Sequence, residues 1–449
     1  MAQRRRPRRR EKSKRHWRIP PPALRDGDAP GPEGLLILEE MEGALGLALW
    51  KSLRSVLLWS LSDPAARGDL FDSGAAKRRA SEFEVALGDG AHPLDEAVAQ
   101  LVRLLKDPVE IEAEALAEAC TQVAEWAEGE HHSATSLEFR QAAALVAPTD
   151  PRLALAMMRA ARDQARYGRA EAWFHRAMGL ARRSKDWDAY VRAYLEHGTM
   201  MRRRGAFPAA RRSYLKALRR STRQGLTEVR ATTLHEFHLL ERYAGEEEAA
   251  LRHARQAVDI LGAGHPRLAT LAADLASGWL DDGDAEAAIA VLEAAYPLLP
   301  GAARAMALGS MARGAGILGN SERFDQARRE LHRTPPGPGV AEAWVEVARG
   351  AAHLKRDDDA LEAARRAEDL TRELHDGQVR LGALSLVSDL LGRKKAARAK
   401  TGGDEVHALR AGVADHLVQL LEEGAARQAR RRARRGRTSR SASPSKRNR

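Results

Sequence analysis

Residues 194–217 read YLEHGTMMRRRGAFPAARRSYLKA, and this stretch holds one complete unit of a repeating pattern. Gly205 separates two helical segments, and a small residue, Ala210, follows five positions later. A left-handed conformation at a helix end costs glycine little, and a small side chain lets two antiparallel helices approach closely. The stretch therefore predicts a helix, a tight turn and a second helix packed against the first.

The same pattern recurs through the middle of the chain at intervals of 33 to 40 residues. The recurring alanines are Ala170, Ala210, Ala250, Ala288, Ala327 and Ala360. Seven positions after each of them stands another alanine, except after Ala327, where the chain has Thr334. A period of this length is typical of stacked helix pairs, which bind partners over extended surfaces. We therefore predict an all-α helical-repeat fold and a binding function.

This frame resembles the tetratricopeptide repeat. The unit Tyr194–Gly198–Gly205–Phe207–Ala210–Tyr214–Ala217 carries the resemblance best, and Tyr167–Ala170–Phe174–Ala177 carries half of it. Most units are longer than the family's 34 residues, as in the long-period arrays beside regulatory domains of some bacterial transcription activators. The resemblance covers about residues 150–372. It implies a right-handed solenoid whose first helices line a concave groove, and a scaffold that binds a protein or peptide there.

Composition and turn residues divide the chain into five predicted segments. Residues 109–128 and 133–147 look like one more divergent repeat ahead of the clear ones, and two helices at about 378–392 and 404–423 are expected to cap the array. The segments are a disordered basic and Pro-rich arm (1–33), an N-terminal helical region (34–108), the repeat array (109–376), capping helices (377–424) and a disordered Arg/Ser-rich tail (425–449).

The net charge of +12 conceals an acidic body between two cationic ends. Residues 1–18 contain ten Lys or Arg and one Glu, and residues 425–449 contain eleven Lys or Arg and no acid. The remaining 53 basic and 61 acidic residues give residues 19–424 a charge of −8. Arginine outnumbers lysine by 62 to 12, which indicates a GC-rich, bacterial genome but does not explain why acids are missing from both ends.

The cationic arms support an alternative function, in which a regulator holds DNA or RNA while the array senses a protein partner. Clustered arginines neutralise phosphates without reading sequence. A merely solvated tail remains the competing interpretation. The predicted polyanion-binding residues are Arg4, Arg5, Arg6, Arg8, Arg9, Arg10, Arg430, Arg431, Arg432, Arg434 and Arg435.

Helical spacing places a group of basic side chains on the expected groove of the first three units, where they suit an acidic peptide or a terminal carboxylate. Ordinary exposed helix arginines are the competing interpretation. The predicted partner-binding residues are Arg152, Arg159, Arg162, Arg192, Arg202, Arg203, His235 and Arg242. Later units offer Thr270, Ser277, Asp281, Asn320 and Arg349. The asparagines by which some family members clamp a carboxylate are replaced by Arg159, Thr199 and Leu239.

Two patterns imitate chemical sites. Gly314, Gly316 and Gly319 match a dinucleotide-binding spacing, but they lie in an alanine-rich helix where close helix packing is the better explanation. His235, Glu236 and His238 lack the spacing and the third ligand of a zinc site. We predict no catalytic residue, no metal, no cofactor and no enzymatic activity.

Cys120, the single cysteine, lies in an apolar helical stretch and is expected to be a buried, inert thiol. One cysteine fits a reducing compartment. The chain has no run of about 18 apolar residues that would span a membrane. These features together predict a cytoplasmic protein without a membrane span.

Overall fold

The computed structural model describes residues 19–22, 35–88, 90–336, 339–373 and 404–441, and within these ranges the chain forms helices and no strand. The predicted all-α helical-repeat class is confirmed. Among the described helices, none combines the length and the apolar character needed to cross a membrane. The chain divides into two compact units, Met1–Arg204 and Gly205–Arg449, which are described in turn.

Unit 1 begins with helices that do not follow the repeat. They are α1 (Leu35–Glu40), α2 (Ala44–Leu61), a 3₁₀ turn (Pro64–Asp69), α3 (Ala75–Leu87) and α4 (Asp95–Lys106). The apolar stretch from Leu35 to Leu61 is broken rather than continuous, because Gly43 takes a φ of 97° between α1 and α2. The carboxylate of Glu40, at the end of α1, accepts hydrogen bonds from the backbone nitrogens of Ala134 (2.9 Å) and Thr135 (2.8 Å). Glu40 thereby caps the amino end of a later helix, where a negative charge is favourable.

The other helices of unit 1 are α5 (Ala113–Gly129), α6 (Ser133–Val146), α7 (Pro151–Asp163), α8 (Tyr167–Ser184) and α9 (Trp187–Arg203). The hydrophobic core runs from α2, α3 and α4 into α5 and α6, so the predicted boundary at residue 108 does not separate two cores. Cys120 is fully buried in this core, and burial raises the pKa of its thiol to about 12. The predicted burial of this thiol is confirmed.

A short N-terminal segment lies against α8. Arg176 donates from Nη1 to the carbonyl of Pro20 (2.9 Å) and from Nη2 to that of Pro148 (2.9 Å). Ile19 packs close to Gly179. Residues 19–22 therefore depart from the predicted disordered arm of residues 1–33, because the buried guanidinium of Arg176 and the contact of Ile19 hold them. Residues 1–18 lie outside the described residues.

Unit 2 begins with the second helix of a repeat pair. Its helices are α10 (Phe207–Gln224), α11 (Thr227–Tyr243), α12 (Glu247–Leu261), α13 (Leu268–Asp281), α14 (Ala285–Ala295), a 3₁₀ turn (Tyr296–Leu298), α15 (Gly301–Ile317), α16 (Ser321–His332), α17 (Val340–His353), α18 (Asp357–Glu373) and α19 (Asp404–Ser441). The predicted helix at 378–392 lies outside the described residues.

The turn inside each pair has one geometry in both units. A residue with positive φ follows the first helix of each pair. After His131, Ala165, Gly245, Gly283, Gly319 and Lys355 the next residue donates its N–H five residues back, as from Arg166 to Ala161 (2.8 Å) and from Asp284 to Trp279 (2.9 Å). The positive-φ residues are His131, Ala165, Gly205, Gly245, Gly283, Gly319 and Lys355. The turn at His131 shows that α5 and α6 are the predicted extra repeat.

The repeat frame is confirmed in every pair except one. Ala170, Ala210, Ala250, Ala288 and Ala360 each stand fourth in their helix and five residues after the positive-φ residue, and all are fully buried. In α16 that place belongs to Phe324, which is also fully buried, while Ala327 lies one turn later. The assignment of Ala327 is therefore wrong by three residues. A large side chain at the position where the other helices have alanine concealed the true register.

Glycines bring α15 and α17 into backbone contact. A Cβ added at Gly350 would lie 2.6 Å from the carbonyl oxygen of Ala312, and one at Gly309 would lie 2.5 Å from that of Ala343. Gly316 likewise faces Gly350, and Gly314 packs under Ile289. Close packing, the predicted explanation of the Gly314–Gly319 pattern, is confirmed for Gly314 and Gly316, whereas Gly319 lies in the turn after α15 with a φ of 71°.

Helix α19 packs on the second helices of unit 2. Val413, Ala414, Leu417 and Leu421 enter the core formed with α12, α13 and α14. The helix does not end near residue 423 as predicted but continues to Ser441. Residues 425–441 are rich in alanine and arginine, which favour helix, and contain no proline.

Candidate partner-binding surface

The predicted site residues lie mostly on the first helices of the repeat pairs, and within each unit we call the shared side of these helices the first-helix face. It is the side of α7 and α9 in unit 1, and of α11, α13, α15 and α17 in unit 2, on which consecutive first helices exchange side-chain contacts. Helical periodicity placed these residues well, since side chains three or four positions apart share a face. Many of the carboxylates that pair with them, however, belong to the neighbouring repeat.

In unit 1 the predicted basic groove is largely neutralised by carboxylates. Arg159 pairs with Glu196 at 2.5 Å, and Arg162, whose side chain is only 9% exposed, pairs with Glu196 and with Asp163 (2.9 Å). Arg203, on α9, forms an ion pair with Asp163 at 2.7 Å. These ion pairs tie α7 to α9, so they stabilise the stacking of repeats as well as lining a surface.

The other unit 1 arginines of this group also have partners. Arg192 pairs with Asp188 within α9 at 2.7 Å, and the exposed Arg152 pairs with Asp186 at 3.1 Å. Arg202 interacts with neighbouring protein groups. Five of the predicted arginines thus face four carboxylates, and the surface carries little positive excess. Sequence reasoning missed these carboxylates because most lie one repeat away.

In unit 2 the first-helix face carries a ladder of polar contacts. His235 lies 3.6 Å from Asp274, and Arg242 donates to the carbonyl of Gly278 at 3.0 Å. The Ser277 and Ser310 hydroxyls are 3.0 Å apart. Arg313, an unpredicted and buried member, bridges Asp281 (2.9 Å) and Glu346 (3.1 Å). Arg349 also pairs with Glu346.

A pocket of 310 Å³ opens on this face between α11 and α13. Ala231, Leu261 and Leu271 supply its apolar part. Its polar residues are Thr232, His235, Arg267, Thr270 and Asp274. Two of these, His235 and Thr270, were predicted from the sequence; the pocket itself was not.

Hydrogen bonds fix the rim of the pocket. Arg267 donates to the Thr232 hydroxyl at 2.9 Å and lies 3.4 Å from Glu228. Surrounding protein atoms desolvate the Asp274 carboxylate and raise its pKa above its ordinary value, while His235 opposes this shift. Thr270 is exposed and has room above it. An apolar floor beside oriented polar groups is typical of a site that accepts one side chain of a partner.

The residues that resemble a zinc site make separate contacts with other parts of the protein. His238 is fully buried, and its Nδ1 lies 3.1 Å from the carbonyl of Ala250, so Nδ1 is the donor in the neutral ring. Burial lowers the pKa of His238 to about 3. Glu236 accepts a hydrogen bond from the hydroxyl of Tyr214 at 2.9 Å. In the described part of the chain, no three His, Cys, Asp or Glu side chains are grouped so as to hold a metal ion.

Few of the predicted polyanion-binding residues have a side chain that the structure describes. Arg430 is exposed on α19. Arg431, Arg432, Arg434 and Arg435 lie on the helical backbone of α19, and the arginines between Arg4 and Arg10 lie outside the described residues. Asn320, predicted for the groove, instead caps α16 by accepting from the backbone nitrogen of Arg323 at 3.0 Å. Its position in the turn, not on a first helix, explains this difference.

Comparison with known proteins gives a distant structural likeness. No protein-family model matches the chain, and no curated protein sequence does. The chain is similar to a crystal structure of a Rap protein complexed with competence and sporulation factor, with a TM-score of 0.44 and 10% identity over 74% of this chain and 98% of that chain.

Proposed function

We propose that this chain is a tetratricopeptide-type interaction protein that binds a protein or peptide partner on its first-helix face without catalysing a reaction. The observation that carries the proposal is the pocket between α11 and α13, where an apolar floor opens between oriented polar groups. The polar ladder on either side offers hydrogen-bonding groups along one surface. A peptide that seats one apolar side chain in the pocket would be held by both.

The charge of the face shapes the expected partner. An acidic peptide remains a candidate, but the pairing of the unit 1 arginines means that it would have to displace Glu196 or Asp163 to reach them. Arg267, on the rim of the pocket, is more accessible, because its side chain is half exposed. We therefore expect the pocket rather than the arginine cluster to dominate affinity.

Filling the pocket tests this function. Thr270→Trp should place an indole over the floor without entering the core, because Thr270 is exposed. Tagged wild-type protein and variant would be used to capture partners from native lysate, with Thr222→Trp on the exposed side of α10 as the matched control. We expect Thr270→Trp to reduce partner recovery at least tenfold and Thr222→Trp to leave it unchanged. Equal recovery by both variants would contradict the assignment.

A further inference from the structure

Helix α10 carries an unusual charge pattern on its exposed side. Its sequence, FPAARRSYLKALRRSTRQ, contains six basic residues and no acidic residue. Arg212, Lys216, Arg219 and Arg223 follow the spacing i, i+4, i+7 and i+11, which places them on one line along the helix, about 16 Å long at about 1.5 Å per residue. All four are exposed. We call this line the α10 stripe.

The three arginines of the stripe differ from the arginines of the first-helix face. No ion pair joins Arg212, Arg219 or Arg223 to any described residue. Arg211, on the flank of the stripe, does pair with the buried Glu241 at 2.5 Å. Like charges four residues apart on a helix repel one another and destabilise it by about 0.2–0.5 kcal/mol per pair. A binding partner of opposite charge would remove this repulsion.

The surroundings of the stripe indicate what that partner is. An interface with a protein usually has an apolar core, and α10 exposes only Leu215 among its large apolar side chains. Binding to single-stranded nucleic acid usually uses stacked aromatic rings, but Tyr214 is buried and Phe207 is partly buried. A duplex backbone requires only cations in line. We propose that the α10 stripe binds the phosphate backbone of a nucleic-acid duplex without reading its sequence.

Helix α19 adds a second cationic element to unit 2. Arg410 pairs with Glu247, the first residue of α12, at 3.1 Å, and Arg427 donates to the carbonyl of Ala263, beyond the end of α12, at 3.2 Å. The helix therefore runs alongside α12 in the same direction, and residues 428–441 continue past its end for about 20 Å. This extension contains seven arginines in the sequence. Duplex binding is independent of the proposed partner pocket, which lies on the first-helix face.

The test measures binding of full-length protein to a fluorescein-labelled 24-base-pair DNA duplex by anisotropy between 50 and 200 mM NaCl. The test variant combines Arg212→Gln, Arg219→Gln and Arg223→Gln. We expect the Kd at 100 mM NaCl to rise at least tenfold. The slope of log K against log salt should become shallower by about 2–3, since each phosphate contact contributes about 0.9.

Two further variants of this chain test whether the loss of binding is specific to the stripe. Replacing the same three arginines with lysine keeps the charge and should preserve most of the affinity and the salt slope. The matched control removes as much charge from exposed arginines near α16 and α18, through Arg329→Gln, Arg333→Gln and Arg365→Gln, and should change neither quantity. No variant should melt below the wild type, because the side chains are exposed, and the glutamine variant should melt slightly higher because it loses the like-charge repulsion.

Three outcomes would overturn the proposal. Unchanged affinity and slope in the glutamine variant would show that the stripe does not contact DNA. Equal losses in the control would show that only total charge matters. Stronger competition by poly-glutamate than by unlabelled duplex of equal charge would identify an acidic protein as the partner instead.

Discussion

Two places in unit 2 use glycine in opposite ways. At α15–α17, Gly350 lets the backbone of one first helix contact the backbone of the next, and the face is closed there. At α11–α13, Gly278 instead makes room for the guanidinium of Arg242, and a pocket remains nearby. His238 stands in α11 where the corresponding positions of α13, α15 and α17 are Ala276, Ala312 and Ala348. The size of a few side chains thus decides whether the face is sealed or open.

The largest expected effect is that of a methyl group added at Gly350, compared with one added at Gly278. Gly350→Ala should lower the free energy of unfolding by about 2–3 kcal/mol, because its Cβ would overlap the Ala312 carbonyl and overpacking a rigid backbone is costly. Gly278→Ala should cost less than about 1 kcal/mol, because the Arg242 side chain can move and alanine favours helix. Urea unfolding would measure both, and equal losses would contradict the comparison.

The buried His238 should make the open region sensitive to acid. Its pKa is about 3 in the folded protein and about 6.5 when unfolded, so the unfolded state binds more protons between these values. Stability should be complete above pH 6.5 and should fall as the pH is lowered toward 3, by about 2 kcal/mol at pH 5. Unfolding of wild type and His238→Ala would be followed from pH 7.5 to 5. A steeper loss in the variant would be inconsistent with a buried neutral imidazole.

In unit 1, ion pairs rather than glycine contacts join the first helices α7 and α9. Glu196→Gln should destabilise unit 1 by about 1–3 kcal/mol, because the buried Arg162 loses one of its two carboxylates. Asp188→Asn, which breaks the more exposed pair with Arg192, should cost less than about 1 kcal/mol. Chemical unfolding followed by tryptophan fluorescence would compare them. The idea fails if Asp188→Asn proves the more harmful change.

The smallest expected effect concerns the turns. Ala165 has a φ of 57°, where glycine is less strained, so Ala165→Gly should stabilise the protein by about 0.5–1 kcal/mol. Gly245, at φ 78° in the corresponding turn, should give the opposite sign when changed to alanine. Thermal unfolding of both variants would measure the difference. Changes of the same sign would show that the two turns are not equivalent.

The repeat was readable from sequence because its signals are local. A positive-φ residue and a small residue five positions later recur within a single pair, and Ala210 and Gly205 show the rule. The error at Ala327 arose where a large side chain took the small position. Gly319, five residues before Phe324, was the signal that would have given the correct register.

The contacts on the first-helix face were harder to predict from the sequence, because they join residues of different repeats. Helical spacing placed Arg159 and Arg162 on one side of α7, but their pairing with Glu196 depends on how α9 stacks on α7. The pocket depends on the separation of α11 and α13, which no local pattern encodes. His238 at a usually small position was visible in the sequence, and only the structure shows that it is buried beside the Ala250 carbonyl.

The central claim, that a partner seats on the open part of the first-helix face, is tested most directly by site-specific photocrosslinking. A benzophenone amino acid would replace Thr270 at the pocket, Ala352 on α17 at the end of the sealed region, or Thr222 on the exposed side of α10. We predict a crosslinked protein partner from position 270, with little from 352 and 222. Crosslinks to the same partner mainly from position 222, or equally from all three, would contradict the account.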